Sequence, residues 1–323
     1  MTVQTQPPVI DRILPLLRCP QSGQRLVVDG QFLVSESGTY KYEIADNGIP
    51  LFAKEFCSAE AAIQQEHYDD IAEAYAANLQ YPHTQEYMDY LDRVLREVVG
   101  DEGLGICTEL CCGTGEAFAL FEQSIESGVG VDVSSSMLTK AQQSFQTSQL
   151  SFVQGDATLL PLAADAFDTV VMLGGIHHVP DRNALFQQVS RVLKPGGIFI
   201  FREPVSDFWL WRFLRAIVYR LSPMLDHETE RPLRYVETVP VLEKAGFGET
   251  SWRTCGFFGF CLFMNSDVLF VNRLFRFIPG IRPITRGFAR FDDWCTRRSW
   301  LGKAGLQVVG TARKPMVRES HEQ

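Results

Sequence analysis

The chain has no run of 18 consecutive apolar residues, so it offers no segment suited to spanning a bilayer as a helix. Met1 to Pro15 lacks a positive stretch followed by an apolar block, and a secretory signal is not expected. Its eight cysteines include no Cys-x-x-Cys pair. Several of them fall in apolar strands, where free thiols pack as small hydrophobes, so the expectation is a reduced, cytoplasmic chain. No internal repeat or low-complexity tract is present, and only the tail after Pro315 reads as disordered. Basic residues are scarce in the first part: residues 1–199 hold 11 Lys and Arg against 26 Asp and Glu, a balance of −15. Tryptophan is absent until Trp209. A net charge of −9 disfavours a general nucleic-acid binder.

The remainder reverses both shortages. Residues 200–323 hold 19 basic against 13 acidic residues, a balance of +6, together with all five Trp. A basic, aromatic-rich region inside an acidic protein points to an anionic or amphiphilic partner, with peripheral attachment to an anionic membrane surface as one form of it. Its plainer explanation is an aromatic lid whose arginines face water. Between Trp209 and Leu221, apolar Trp209, Phe213, Ala216 and Ile217 recur at helical spacing with Arg212, Arg215 and Arg220 interleaved, a pattern suited to a lipid interface.

The most informative stretch is Thr108 to Glu116, with Glu109, Cys111, Gly113 and Gly115. It joins an apolar run (Leu104, Ile106) to an apolar helical segment (Ala117 to Phe121). A strand, a tight glycine turn and a helix let backbone N–H groups approach a ligand closely. A second apolar run ends in Asp132, 132 − 113 = 19 positions after Gly113. That is close to the roughly 20-residue spacing at which an acid accepts ribose hydroxyls. Ser134, Ser135 and Ser136 can cap the following helix, which leaves Asp132 to the ribose. A dinucleotide site wants a small residue where Phe118 stands, so NAD is disfavoured. Gly155-Asp156-Ala157 closes a third strand, and Phe167 to Leu173 reads as a buried strand followed by Gly174, Gly175, Ile176, His177 and His178.

This ordered set, completed by Leu193-Lys194-Pro195-Gly196-Gly197, resembles the class I S-adenosylmethionine-dependent methyltransferases, in particular their small-molecule group, over about residues 65–205 and again near Leu306–Lys314. The resemblance implies an α/β fold: a Rossmann-like, seven-stranded doubly wound sheet whose last strand is antiparallel. It implies S-adenosylmethionine as cofactor and no metal. Carried over position by position, the cofactor residues are Tyr68, Glu109, Cys111, Gly113, Gly115, Asp132, Val133, Met137, Asp156, Ala157 and Leu173. Glu109 would fix the glycine turn and the methionine end, Asp156 and Ala157 would bind adenine, and Met137 or Leu138 would cover its face. Cys111 departs from the family's usual glycine.

Residues 1–56 are expected to form a small β module that resembles the zinc-ribbon-derived domain of methyltransferase activator proteins. It lacks the ligands, since Ser22 stands where a second cysteine would. A methyltransferase domain is expected over 57–323, with cap helices at 57–100, a cofactor-binding core at 101–204 and lid insertions at 205–235 and 265–303. Residues 252–264 read as a dense apolar strand. For chemistry, His178 is the candidate general base, because it lies just past the fourth strand where strand C-termini open onto the ligand crevice. The resemblance to phosphobase-methylating enzymes implies a proton-relay role at that place, and His177 is the adjacent candidate. The expected function is methyl transfer to a small or amphiphilic acceptor, with oxygen preferred as the acceptor atom. The alternatives are methylation of tRNA or protein, and a non-catalytic subunit that binds a partner.

Overall fold

The computed structural model describes residues 9–54, 80–146, 149–213, 231–264 and 270–316. One mixed sheet runs through it, in the order β1-β2-β3-β4-β7-β6-β5-β8-β9-β11-β10. Its strands are β1 (Leu26–Asp29), β2 (Phe32–Ser35), β3 (Lys41–Ile44), β4 (Pro50–Leu51), β5 (Gly105–Leu110), β6 (Ile125–Asp132), β7 (Leu150–Gln154), β8 (Phe167–Leu173), β9 (Leu193–Pro204), β10 (Thr250–Cys255) and β11 (Gln307–Arg313). Strands β5 to β9 pair in parallel. β11 inserts antiparallel between β9 and β10, as the resemblance implies. β7 is buried along its whole length and β8 nearly so, which is why both read as continuous apolar runs rather than alternating ones.

Two strand glycines explain how a phenylalanine fits where dinucleotide folds want a small residue. The Phe118 ring, on the Glu116–Phe121 helix, lies over Gly128 of β6: a Cβ there would meet Leu150 Cδ2 at 2.8 Å and Phe118 Cε1 at 2.9 Å. A Cβ at Gly130 would lie 2.7 Å from Phe152. Phe118, Phe145 and Phe152 pack as a trio with centroids 6.2–6.4 Å apart. The bulk lost from the strand is supplied by the helix. At the other end of the sheet, Asp168 accepts from the Ile106 amide and from Lys194 Nζ, clamping the entrances of β5, β8 and β9.

Strands β1 to β4 form an antiparallel meander that continues the sheet, since β4 pairs in parallel with β7 through Leu51 and Gln154. Phe52 N donates to Gln154 O, Arg18 N to Pro161 O, and Ala163 N to Leu16 O. Leu17, Leu33, Tyr42 and Phe52 join one core cluster with Val131, Val153 and Leu162. The meander thus joins β7 at its last residue, Gln154. Cys19 is buried with its Sγ 3.1 Å from Tyr42 Oη.

The Pro82–Val99 helix buries Tyr87, Tyr90, Leu91, Val94 and Leu95, as their spacing predicts. Residues 55–79, including Tyr68, lie outside the described residues. The expected strand over 252–264 is corrected: β10 ends at Cys255 and Phe258–Phe263 is a helix. Gly256 turns the chain with φ +69°. The carboxylate of buried Asp292, on the Ile281–Thr296 helix, then accepts from the amides of Phe257, Gly259 and Phe260 and from Tyr87 Oη. Those first-turn amides would have no acceptor in an isolated segment.

Gly128→Ala should destabilise the fold by about 1–3 kcal/mol through overpacking. Pairing it with Phe118→Leu should recover part of the loss in urea unfolding. Strictly additive costs would show that Phe118 and Gly128 are not packing partners.

Candidate active site

The strand order reverses at β5, with β6 on one side and β8 on the other, and their C-terminal ends carry the residues singled out above. β5 ends in a sharp turn in which Cys111, Gly113 and Gly115 all have left-handed φ (50°, 50° and 86°). A Cβ at Gly113 would meet nothing within 4 Å, so this face of the turn is open to a ligand. Cys111 is one of the few non-glycine residues in that conformation, and Gly175 makes room for it: a Cβ there would lie 2.7 Å from Cys111 Cβ.

Glu109 stands behind the turn, buried. Its two oxygens accept from the amides of Ala117 and Phe118 at 2.9 and 3.1 Å, holding the first turn of the next helix. Burial, with help from the negative charges of Glu116 and Asp132, pushes its carboxyl up to about 8 against the pull of those two amides. Asp132, at the end of β6, accepts from Gly113 N at 2.8 Å and from Ser134 N at 2.9 Å. It therefore ties the glycine turn to the following helix. Ser134 caps that helix by accepting from Met137 N at 3.3 Å, the capping role expected of the serine run. Val133 O accepts from Gln154 Nε2, and Met137 is buried. Asp156 Oδ1 accepts from both N and Oγ1 of Thr158, shaping the loop that carries buried Ala157. Leu173 ends β8 beside Arg202 of β9.

Past β8 the chain makes a short turn, Ile176–His178, built on Glu203. This fully buried carboxylate accepts from Gly175 N and Ile176 N at 2.8 Å, from His177 N at 3.4 Å, and lies 2.8 Å from His177 Nδ1. The His178 ring lies beside that of His177, tilted by 40° with centroids 3.8 Å apart. The geometry thus pairs His177, the second candidate of the sequence analysis, with a carboxylate. Next to Glu203, buried Arg202 bridges Asp92 of the Pro82–Val99 helix and Glu116 of the glycine-turn helix. Those two negative charges outweigh burial and raise the guanidinium pKa above its ordinary value. Sequence reasoning passed over Arg202 and Glu203. The signal was there: charged residues closing an apolar strand, the same feature that marked Asp132.

Residues 108–201 match the family model described as a methyltransferase domain. Among curated relatives, the demethylmenaquinone methyltransferase of Lactiplantibacillus plantarum is 27% identical over 46% of this chain and 73% of its own length. The enzyme of the same name from Bacillus licheniformis is 38% identical over 29% of this chain and 43% of its own length, so that match spans less than half of the relative. A Thermotoga maritima structure described as an S-adenosylmethionine-dependent methyltransferase, possible histamine N-methyltransferase, superposes with TM-score 0.51 at 20% identity. It covers 76% of this chain and 98% of that one, a likeness of fold. The name these relatives carry, demethylmenaquinone methyltransferase, lends no support to the expected preference for oxygen.

Because the folded chain holds Glu109's proton to about pH 8 and an unfolded chain releases it near 4.5, its contribution to stability is full below the lower value and is lost as pH rises through the upper one. Urea midpoints should therefore fall between pH 5 and 8, and Glu109→Gln should flatten that fall. An unchanged slope in the variant would assign the pH dependence to other groups.

Proposed function

We propose that this class I S-adenosylmethionine-dependent methyltransferase places the methyl group on a ring carbon of a small lipophilic dihydroxyaromatic acceptor, of the demethylmenaquinone kind. The observation that carries the reading is the His177–Glu203 pair at the open end of β8. The relatives named above supply the acceptor class.

The cofactor supplies a methyl group on a sulfonium leaving group, so the protein's share is positioning and proton handling. The open, left-handed turn at Gly113, with Asp132 at the end of the adjacent strand, suits the ribose and methionine parts of such a ligand. Cys111, Gly115 and Leu173 would line the methionine side, and Val133, Met137, Asp156 and Ala157 the adenine side. Glu109 acts from behind, by keeping the helix start in place.

A ring carbon becomes a nucleophile when a neighbouring hydroxyl loses its proton. With Nδ1–H of His177 donated to Glu203, Nε2 carries the lone pair and can accept that proton. The ring carbon then bonds to the methyl carbon as the S–CH3 bond breaks. Loss of the ring proton and return of one to the oxygen restore the aromatic hydroxyl, with a net release of one proton. Glu203 is a positioning residue: it holds both the ring and the backbone of the turn.

Two measurements test this. Asp132→Asn should weaken S-adenosylmethionine binding at least tenfold by calorimetry, since hydrogen bonds to a charged group are worth about 1.5–3 kcal/mol each. Unchanged affinity would remove Asp132 from the cofactor site. His177→Ala should lower turnover on a reduced demethylmenaquinone analogue by about 10²–10⁴-fold, with cofactor affinity nearly unchanged, and the product should carry its methyl group on carbon by NMR. Turnover close to the unmodified enzyme's, or an O-methylated product, counts against the proposal.

A further inference from the structure

The insertion that precedes β11 is apolar on two sides. Ile281, Thr285, Ala289, Asp292 and Cys295 face inward, and the helix packs on Pro82–Val99. Outward, Leu274, Phe277, Ile284, Phe291, Trp294 and Trp300 stand in solvent, with Phe277 68% and Trp300 73% exposed. At about 100° per residue, Ile284, Phe291 and Trp294 fall on one flank of the helix's solvent side, and Arg282, Arg286, Arg290 and Arg297 on the other. Single exposed apolar residues are ordinary, whereas a stripe along one helix flank, here Ile284, Phe291 and Trp294 with the last two rings 6.3 Å apart, marks an interaction surface.

Charge narrows the partner. Residues 270–303 hold eight Lys and Arg against two acids, in a protein of net charge −9. Of the acids, Asp292 is buried and Asp293 is paired with Arg253 and Arg297. Arg286 is paired with Glu86. Arg273, Arg276, Arg290 and Arg298 meet no carboxylate among the described residues. Arg276 lies over the rings of Tyr81 and Phe277, and Arg298 over Trp294. Unpaired arginines set among exposed aromatics match the two layers of a lipid interface, anionic headgroups above and acyl chains below. A second copy of the chain meeting this face about a two-fold axis would bring arginine against arginine.

We infer that this face docks the enzyme on an anionic phospholipid surface. The segment expected for that role, Trp209 to Leu221, contributes less where it is described. Trp209 and Phe213 are exposed, but Trp211 turns inward, donating to Ala304 O and packing on Phe257. Residues 214–221 lie outside the described residues. The docking inference does not depend on the identity of the acceptor, because attachment requires no methyl transfer.

The test is co-sedimentation of the full chain with phosphatidylglycerol–phosphatidylcholine vesicles, and with phosphatidylcholine vesicles alone, at low and high salt. Binding is expected on the anionic vesicles at low salt and should weaken as salt rises. Arg276→Gln and Arg290→Gln should each weaken it about fivefold, the equivalent of about 1 kcal/mol per basic residue. Phe277→Ser and Trp294→Ser should weaken it further, while all four variants keep their S-adenosylmethionine affinity. No sedimentation at low salt, or equal sedimentation of the variants, overturns the inference. So does a dimer in analytical ultracentrifugation that Trp294→Ser abolishes, which would assign the face to a second copy.

Discussion

Backbone N–H groups at chain reversals must find acceptors, and in this protein carboxylates supply them at the joints that matter. Glu109 holds the amides of Ala117 and Phe118, Asp132 those of Gly113 and Ser134, Glu203 those of Gly175, Ile176 and His177, and Asp292 those of Phe257, Gly259 and Phe260. Three of the four are buried. Burying a carboxyl group is costly, and convergent amides offset part of that cost, although at Glu109 burial prevails and the group keeps its proton to about pH 8. The arrangement fixes loop conformation with side chains that come from distant parts of the chain.

Rigidity of the crevice follows from this. The glycine turn is attached to β6 through Asp132 and backed by Glu109, while the turn after β8 is attached to β9 through Glu203. Arg202, bridging Asp92 and Glu116, joins the Pro82–Val99 helix to the glycine-turn helix. Each wall of the crevice is thereby tied to its neighbour by a charged group. Methyl transfer needs little covalent help from a protein and much positional accuracy. A scaffold cross-tied in this way suits that demand, and it holds the His177 ring against the Glu203 carboxylate.

The periphery serves a different end. On one edge the β1–β4 meander joins the sheet at β7, through Leu51 and Phe52. On the other, the helices after β10 build a layer over Pro82–Val99 whose outer surface is aromatic and basic. If the acceptor is lipophilic, as proposed, it partitions into membranes, and docking on a lipid surface would bring the protein to it at high local concentration. None of the described helices is long and apolar enough to cross a membrane. Attachment through an arginine-rich face would be reversible and salt-sensitive.

Local pattern carried much of this. The parallel strands declared themselves by unbroken apolar runs, the Pro82–Val99 helix by its 3–4 residue period, and the crevice by the Gly113 turn with Asp132 at its set distance, because each of these signals lies within one short segment. What the chain could not announce depends on partners far apart in sequence. Phe258–Phe263 has the composition of a strand and becomes a helix because Asp292, more than 25 positions later, caps it. His177 and His178 are the same letter side by side, and what sets one of them against a carboxylate is Glu203, 26 positions on. Phe118 is tolerated because a neighbouring strand gave up its side chain at Gly128. Periodicity and spacing are local properties of a sequence, whereas caps, hydrogen-bonded pairs and complementary volumes exist only once the fold has brought distant residues together.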